Sequence, residues 1–181
     1  MTPRRPRIAT VWLDGCSGCH MSLLDMDERL VDVLAVADLV YSPLVDFKQF
    51  PDDVDVTLVE GAVSSVEDLH KIQMVRAHTK TLVALGDCAV TSNVPGMRNM
   101  FGTEIVLRRV YKEHSDGPGA REVPTEVVPA LLPLVRPVHE VVKVDVFLPG
   151  CPPPADAIHD TIVALLDGRM PDVAALTRFG R

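Results

Sequence analysis

Aromatic residues make up only 4% of the 181 positions, so aliphatic side chains must build most of the core. Positive charge is also in short supply: 18 Lys and Arg stand against 25 Asp and Glu, a net charge of −7. Nucleic-acid binding draws on a basic stripe. The one basic cluster, Arg4-Arg5-Pro6-Arg7, is too short to supply it and is expected to lie in solvent or on a partner. No apolar run reaches the roughly 18–20 residues that span a bilayer, and no apolar segment of a secretory signal follows the basic start. The reading is a cytoplasmic protein that neither spans a membrane nor binds nucleic acid. The first strand is not followed by Gly-x-Gly-x-x-Gly, which argues against a dinucleotide site here. Cysteine is scarce, with four in all. In a reducing compartment four thiols point to metal or redox chemistry more than to disulfides.

A hydrophobic share of 47% is what a packed domain needs, and residues 1–181 read as one domain with a proline-rich excursion at about 114–142. Short apolar runs that stop at glycine predict buried strands at 8–13, 54–59, 81–85 and 144–148, with a weaker one at 38–41. Between them, a helical face of Leu23, Met26, Leu30 and Leu34 predicts a helix over 21–36. Further helices are expected over 66–77, 97–113 and 155–166, the first opened by a capping-box-like Ser64-Ser65-Val66-Glu67. Pro124, Pro129, Pro133 and Pro137 forbid a long helix in the excursion and leave room for short turns over 126–132. The apolar stretch 127–135 suits either a core or a partner's surface. Alternating strands and helices imply an α/β fold, a doubly wound parallel sheet of flavodoxin type.

That topology brings every cysteine to one place. Cys16 and Cys19 follow the first strand, Cys88 the fourth and Cys151 the fifth. Ligands of an open parallel sheet collect outside the carboxyl ends of its strands. A Cys-x-x-Cys between strand and helix also fits a thioredoxin-like redox pair, but that reading explains neither Cys88 nor Cys151. Four thiolates suit a structural zinc or an iron–sulfur cluster. Spacing and fold favour a 4Fe–4S cluster, with Gly15, Gly18, Gly86 and Gly150 letting the backbone approach it. A flavin carrier is a further alternative, because sheets of this type hold FMN at the same edge. Asp14, Glu60 and Asp87 stand at the strand ends, either lowering a cluster's potential or serving as turn and cap residues. His20 adjoins Cys19 and is expected at a surface or helix start.

Cys16-Ser17-Gly18-Cys19, Gly86-Asp87-Cys88-Ala89 and Leu148-Pro149-Gly150-Cys151-Pro152-Pro153 resemble the motifs of NiFe-hydrogenase small subunits. They are also similar to the complex I subunit that holds the terminal cluster. That relative has adjacent cysteines in its first motif, where Ser17 and Gly18 separate them here. Glu60-Gly61 resembles the family's Glu-Gly element beside the cluster. The resemblance implies that Cys16, Cys19, Cys88 and Cys151 ligate one 4Fe–4S cluster, close to Glu60. It further implies a minimal small subunit of a cytoplasmic, NAD-linked bidirectional hydrogenase. The nickel–iron centre would then lie on a large-subunit partner, and FMN with further clusters on diaphorase-type flavin/iron–sulfur subunits. Ser92-Asn93 departs from the Gly-Gly that the family often carries after the third cysteine.

Overall fold

A computed structural model describes residues 4–116 and 122–177. From the N-terminal side, β1 (Arg7–Trp12) leads to α1 (Gly18–Leu24), α2 (Glu28–Val36) and β2 (Asp38–Tyr41). Next come β3 (Val54–Glu60), the short β4 (Val63–Ser65), α3 (Val66–Ala77), β5 (Thr79–Leu85), α4 (Gly86–Thr91) and α5 (Asn93–Gly96). A 3-10 turn at Met97–Met100, α6 (Thr103–Arg108) and a π turn at Arg109–Glu113 lead to β6 (Leu131–Arg136). A 3-10 turn at Val138–Glu140 precedes β7 (Val146–Leu148), α7 (Ala155–Leu166) and α8 (Val173–Leu176).

Strands β2, β1, β3, β5 and β7 lie side by side in that order, all parallel. This is the flavodoxin-type order, and it bears out the expected fold class. Side chains alternate across a strand, so each strand feeds two cores. Along β5, Leu82 and Ala84 enter one core with Val11, Val59 and Ile72. Val83 and Leu85 enter the other with Leu58, Met26 and Ile158. Each fully buried aliphatic side chain contributes about 1.5–3 kcal/mol, and helices covering both faces keep these runs out of water. The register sets one row across the carboxyl end: Trp12 beside Glu60, Glu60 beside Leu85, Leu85 beside Leu148. The loops that leave this row carry the cysteines.

Several elements differ from their expected form. The helix predicted over 21–36 is two helices, because Asp27 takes φ 51 and Met26 turns into the core at 1% exposure. Asp tolerates positive φ better than most residues. After the break Val33 is buried in place of Leu34. The helix predicted over 97–113 is a chain of short turns, interrupted where Gly102 takes φ +80. In the excursion, β6 pairs antiparallel with β4. Pro133 fits within β6 because this two-stranded ribbon has open edges. Leu132 and Val135 are buried there while Val127, Val128 and Leu134 are exposed, so the apolar stretch serves core and surface both. Residues 117–121 of the proline-rich excursion lie outside the described residues.

The basic start is tied to its own chain. Arg4 donates twice to the Asp55 carboxylate, Arg5 donates to the carbonyls of Leu34 and Ala37, and Arg7 donates to the carbonyl of Asp52. No helix among the described residues is long and apolar enough to cross a membrane.

Candidate metal centre

Three loops build the site. The first leaves β1 beside β3: the Leu13 amide donates to Glu60 O at 2.9 Å, and Asp14 and Ala62 exchange main-chain bonds at 3.1 and 2.7 Å. Gly15 packs against this bridge, where a Cβ would stand 3.2 Å from Gly61 Cα and 3.6 Å from Glu60 Oε1. Ser17, at φ 66, turns the chain into α1, and Gly18 leaves room for the Cys16 sulfur, which a Cβ would meet at 3.2 Å. Cys16 is exposed, while Cys19 is buried in the first turn of the helix.

The second and third loops clasp each other. The Asp87 amide donates to Gly150 O at 2.8 Å, and the Gly150 amide donates to Asp87 Oδ1 at 2.7 Å. Asp87 is therefore a structural clasp between the Cys88 and Cys151 loops. Cys88 is buried and Cys151 exposed, and the bond from Cys151 to Pro152 is cis. Ser22 ties α1 to this corner, donating to Pro153 O at 2.6 Å. Two glycines of this clasp are sterically required. At Gly86 (φ +82) a Cβ would overlap the Cys19 sulfur, and at Gly150 (φ +143) it would lie 2.6 Å from the Pro153 main chain. Side chains rarely adopt either conformation.

The four sulfurs lie near enough to feel one another's charge. Burial pushes the Cys19 thiol well up, and the negative charge of Glu60 and the other three cysteines add to it. Burial also raises Cys88, opposed by a hydrogen bond from the Val94 amide and assisted by Cys151, Cys16 and Glu60. Without a cation these buried thiols resist ionising, so thiolates here call for a positive partner. Among the described residues, no three Cys, His, Asp or Glu side chains stand close enough to grip a single ion.

Glu60 is 1% exposed and His20 4%, so His20 stands at a helix start as expected, in the first turn of α1, but buried rather than at a surface. The Glu60 carboxylate accepts the His20 amide at 3.0 Å and the Cys19 amide at 3.4 Å, and its Oε2 faces His20 Nδ1. On the far side of the ring, His20 Nε2 lies 3.1 Å from Thr10 Oγ1, itself 2.8 Å from Ser42 Oγ. Burial of a carboxylate is tolerated where such bonds meet it. Sequence reasoning missed Ser22, Thr10, Ser42 and Asn93. The departure at Ser92-Asn93 keeps a tight loop: Ser92 takes φ 67, the left-handed conformation glycine favours, and its amide donates to Cys88 O at 3.0 Å. Asn93 Nδ2 lies 3.5 Å from Cys151 Sγ.

The model of the family described as NADH ubiquinone oxidoreductase, 20 Kd subunit, matches residues 16–165. The chain belongs to that family. Within the 20 Kd-subunit family it is similar to hydrogenase subunits. It is 41% identical over 166 residues to the NAD-reducing hydrogenase HoxS subunit delta of Cupriavidus necator, covering 90% of this chain and 79% of that protein. It is 40% identical over 166 residues to a subunit of the F420-non-reducing hydrogenase vhu of Methanocaldococcus jannaschii, covering 91% of this chain. The chain spans 57% of that archaeal protein's length. A solved structure, an NAD+-reducing [NiFe]-hydrogenase in the H2-reduced state, contains a chain that superposes with a TM-score of 0.92. The two are 38% identical, and the match covers 97% of this chain and 99% of the other.

Proposed function

We propose that this chain is the electron-transfer small subunit of an NAD-reducing NiFe hydrogenase, with Cys16, Cys19, Cys88 and Cys151 holding one 4Fe–4S cluster. The observation that carries the reading is the convergence of four thiols at the carboxyl edge of the sheet, around glycines that clear space beside the sulfurs. When bound, such a cluster supplies one-electron transfer. The chain's own residues hold it and shape its field. Gly15 and Gly18 shape the first loop, Gly86 and Gly150 make room at the other two, and Glu60 anchors the amides of Cys19 and His20.

Zinc is the poorer fit. Four thiolates on one zinc must converge on a single point about 2.3 Å from each sulfur, and among the described residues no group of three donors is placed to hold one ion. FMN fits less well too. A phosphate would need free amides in the first loop, and those of Cys19 and His20 already donate to Glu60, whose charge would repel it.

The nickel–iron centre belongs in this reading to a large-subunit partner, because all four cysteines here are engaged. There H2 gives up two electrons and two protons. The electrons pass through this chain to diaphorase-type subunits carrying FMN and further iron–sulfur clusters, where NAD+ takes two electrons and one proton to become NADH. The overall reaction, H2 + NAD+ = H+ + NADH, runs in either direction. A cytoplasmic location belongs to the same proposal. Its support is the likeness to the HoxS delta subunit and to the NAD+-reducing hydrogenase chain. In Cys151→Ser the exposed position spares the core, so the fold should survive while the cluster and hydrogen-driven NAD reduction are lost. A full cluster and normal activity in that variant would sink the ligand assignment.

A further inference from the structure

The loop after Cys88 does more than close a turn. We propose that Asn93 is a positioning residue that raises the reduction potential of the centre by donating its side-chain amide to the Cys151 sulfur; the inference rests on the cluster reading above. Asn93 Nδ2 lies 3.5 Å from Cys151 Sγ, within normal reach for the large sulfur atom. Only the nitrogen end of the amide can face a thiolate, because sulfur there accepts and the amide oxygen cannot donate.

The donor is held in place by backbone geometry. Ser92 at φ 67 separates α4 from α5 and puts Asn93 first in the new turn, and the Gly96 amide closes it on Ser92 O at 2.8 Å. The next residue works toward a second sulfur, since the Val94 amide bonds to Cys88. Adjacent residues thus deliver N–H donors to two of the four cysteines, one from a side chain and one from the main chain. Glycine at position 93 would retain only the main-chain donor.

Reduction adds one electron, and part of its charge falls on the thiolate sulfurs. A donor bonded to such a sulfur stabilises the reduced form more than the oxidised one, so it raises the potential. Glu60 acts in the opposite sense on the Cys19 side, where its negative charge opposes added electrons. The working potential is the balance of the two. The exposed apolar side chains of Val94, Met97 and Met100 flank this corner. A subunit seated on them would dry the bond, and low dielectric strengthens it.

The test is an EPR-monitored redox titration of the assembled complex at fixed pH, with iron and sulfide measured on each sample. Asn93→Ala should keep its iron and sulfide and shift the reduction equilibrium about threefold toward the oxidised form, roughly 30 mV for a one-electron couple. Asn93→Asp, equal in shape but without the donor and carrying a charge, should shift it further the same way. Gly102→Ala, where an added Cβ meets nothing within 4 Å, should leave the potential in place. An unmoved potential in Asn93→Ala with iron and sulfide intact overturns the inference and leaves the cluster reading standing. Loss of iron from Asn93→Ala would make the residue a structural prop and overturn it as well. A parent complex whose small subunit holds no iron or sulfide removes the cluster reading itself, and this inference with it.

Discussion

Gly86 and Gly102 share a backbone conformation, φ +82 and φ +80, and differ in their surroundings. A Cβ at Gly102 meets nothing within 4 Å, whereas one at Gly86 overlaps the Cys19 sulfur and stands 3.4 Å from Gly150 O. Gly102→Ala therefore carries only the left-handed backbone penalty, about 1–2 kcal/mol. Gly86→Ala carries the same penalty and an overpacking cost of about 1–3 kcal/mol. Cys19 has little freedom to move away, being 8% exposed and packed in the core with Leu23 and Leu85. The expected loss at Gly86 is about 2–5 kcal/mol. Chemical denaturation of both variants beside the parent reads the difference. Iron and sulfide on the same samples read its consequence: Gly102→Ala keeps both, and Gly86→Ala loses most of each. Equal destabilisation of the two variants, with iron intact in both, would refute the claim that Gly86 exists to seat the Cys19 sulfur.

Further outcomes follow from other contacts. Glu60→Gln removes a buried charge beside Cys19, so a retained cluster should reduce at a higher potential in an EPR titration; an unmoved potential contradicts this. Ser65 caps α3 by accepting the Asp68 amide at 3.1 Å and donating to its carboxylate at 2.8 Å. Ser65→Ala should lower stability by about 1 kcal/mol, seen as an earlier denaturation midpoint. Burial pushes the Asp145 carboxyl up, but the Leu82 amide, Arg76 and Lys143 outweigh it and hold the group below its ordinary value. Its folded value is thus the lower one, so its stabilisation is complete above about pH 4 and fades as pH falls through that folded value. Asp145→Asn should cost on the order of 1–2 kcal/mol at neutral pH and flatten the acid limb of the stability curve. An acid limb as steep as the parent's would contradict that assignment.

Sequence patterns revealed those elements whose determinants are local. β2, α3 and α7 fall at Asp38–Tyr41, Val66–Ala77 and Ala155–Leu166, because a local signal bounds each: Pro43 beyond β2, a serine cap before α3, and Pro154 and Gly168 around α7. The β4–β6 ribbon escaped notice. One strand is three residues long, the other contains Pro133, and residues 66–130, with α3, β5 and α6 among them, separate the two. The break at Asp27 was equally hidden, since the apolar face of 21–36 runs on as though the helix were continuous and only the burial of Met26 forces the turn. At the site, cysteine spacing and strand ends were enough to assemble four thiols. Their supporting bonds were out of sight because their partners are remote: His20 meets Glu60 across 40 residues, Asn93 meets Cys151 across 58, and Ser22 meets Pro153 across 131. A histidine beside a cysteine suggests a surface or helix-start place, and only the buried carboxylate on a distant strand decides that its ring is enclosed.

The most direct test of the central claim is metal analysis of the anaerobically purified protein together with whatever chains co-purify. Iron and acid-labile sulfide at about four each per chain, little zinc, and a nickel-containing partner are the predicted result. Stoichiometric zinc without sulfide, or bound flavin beside four titratable thiols, would contradict it.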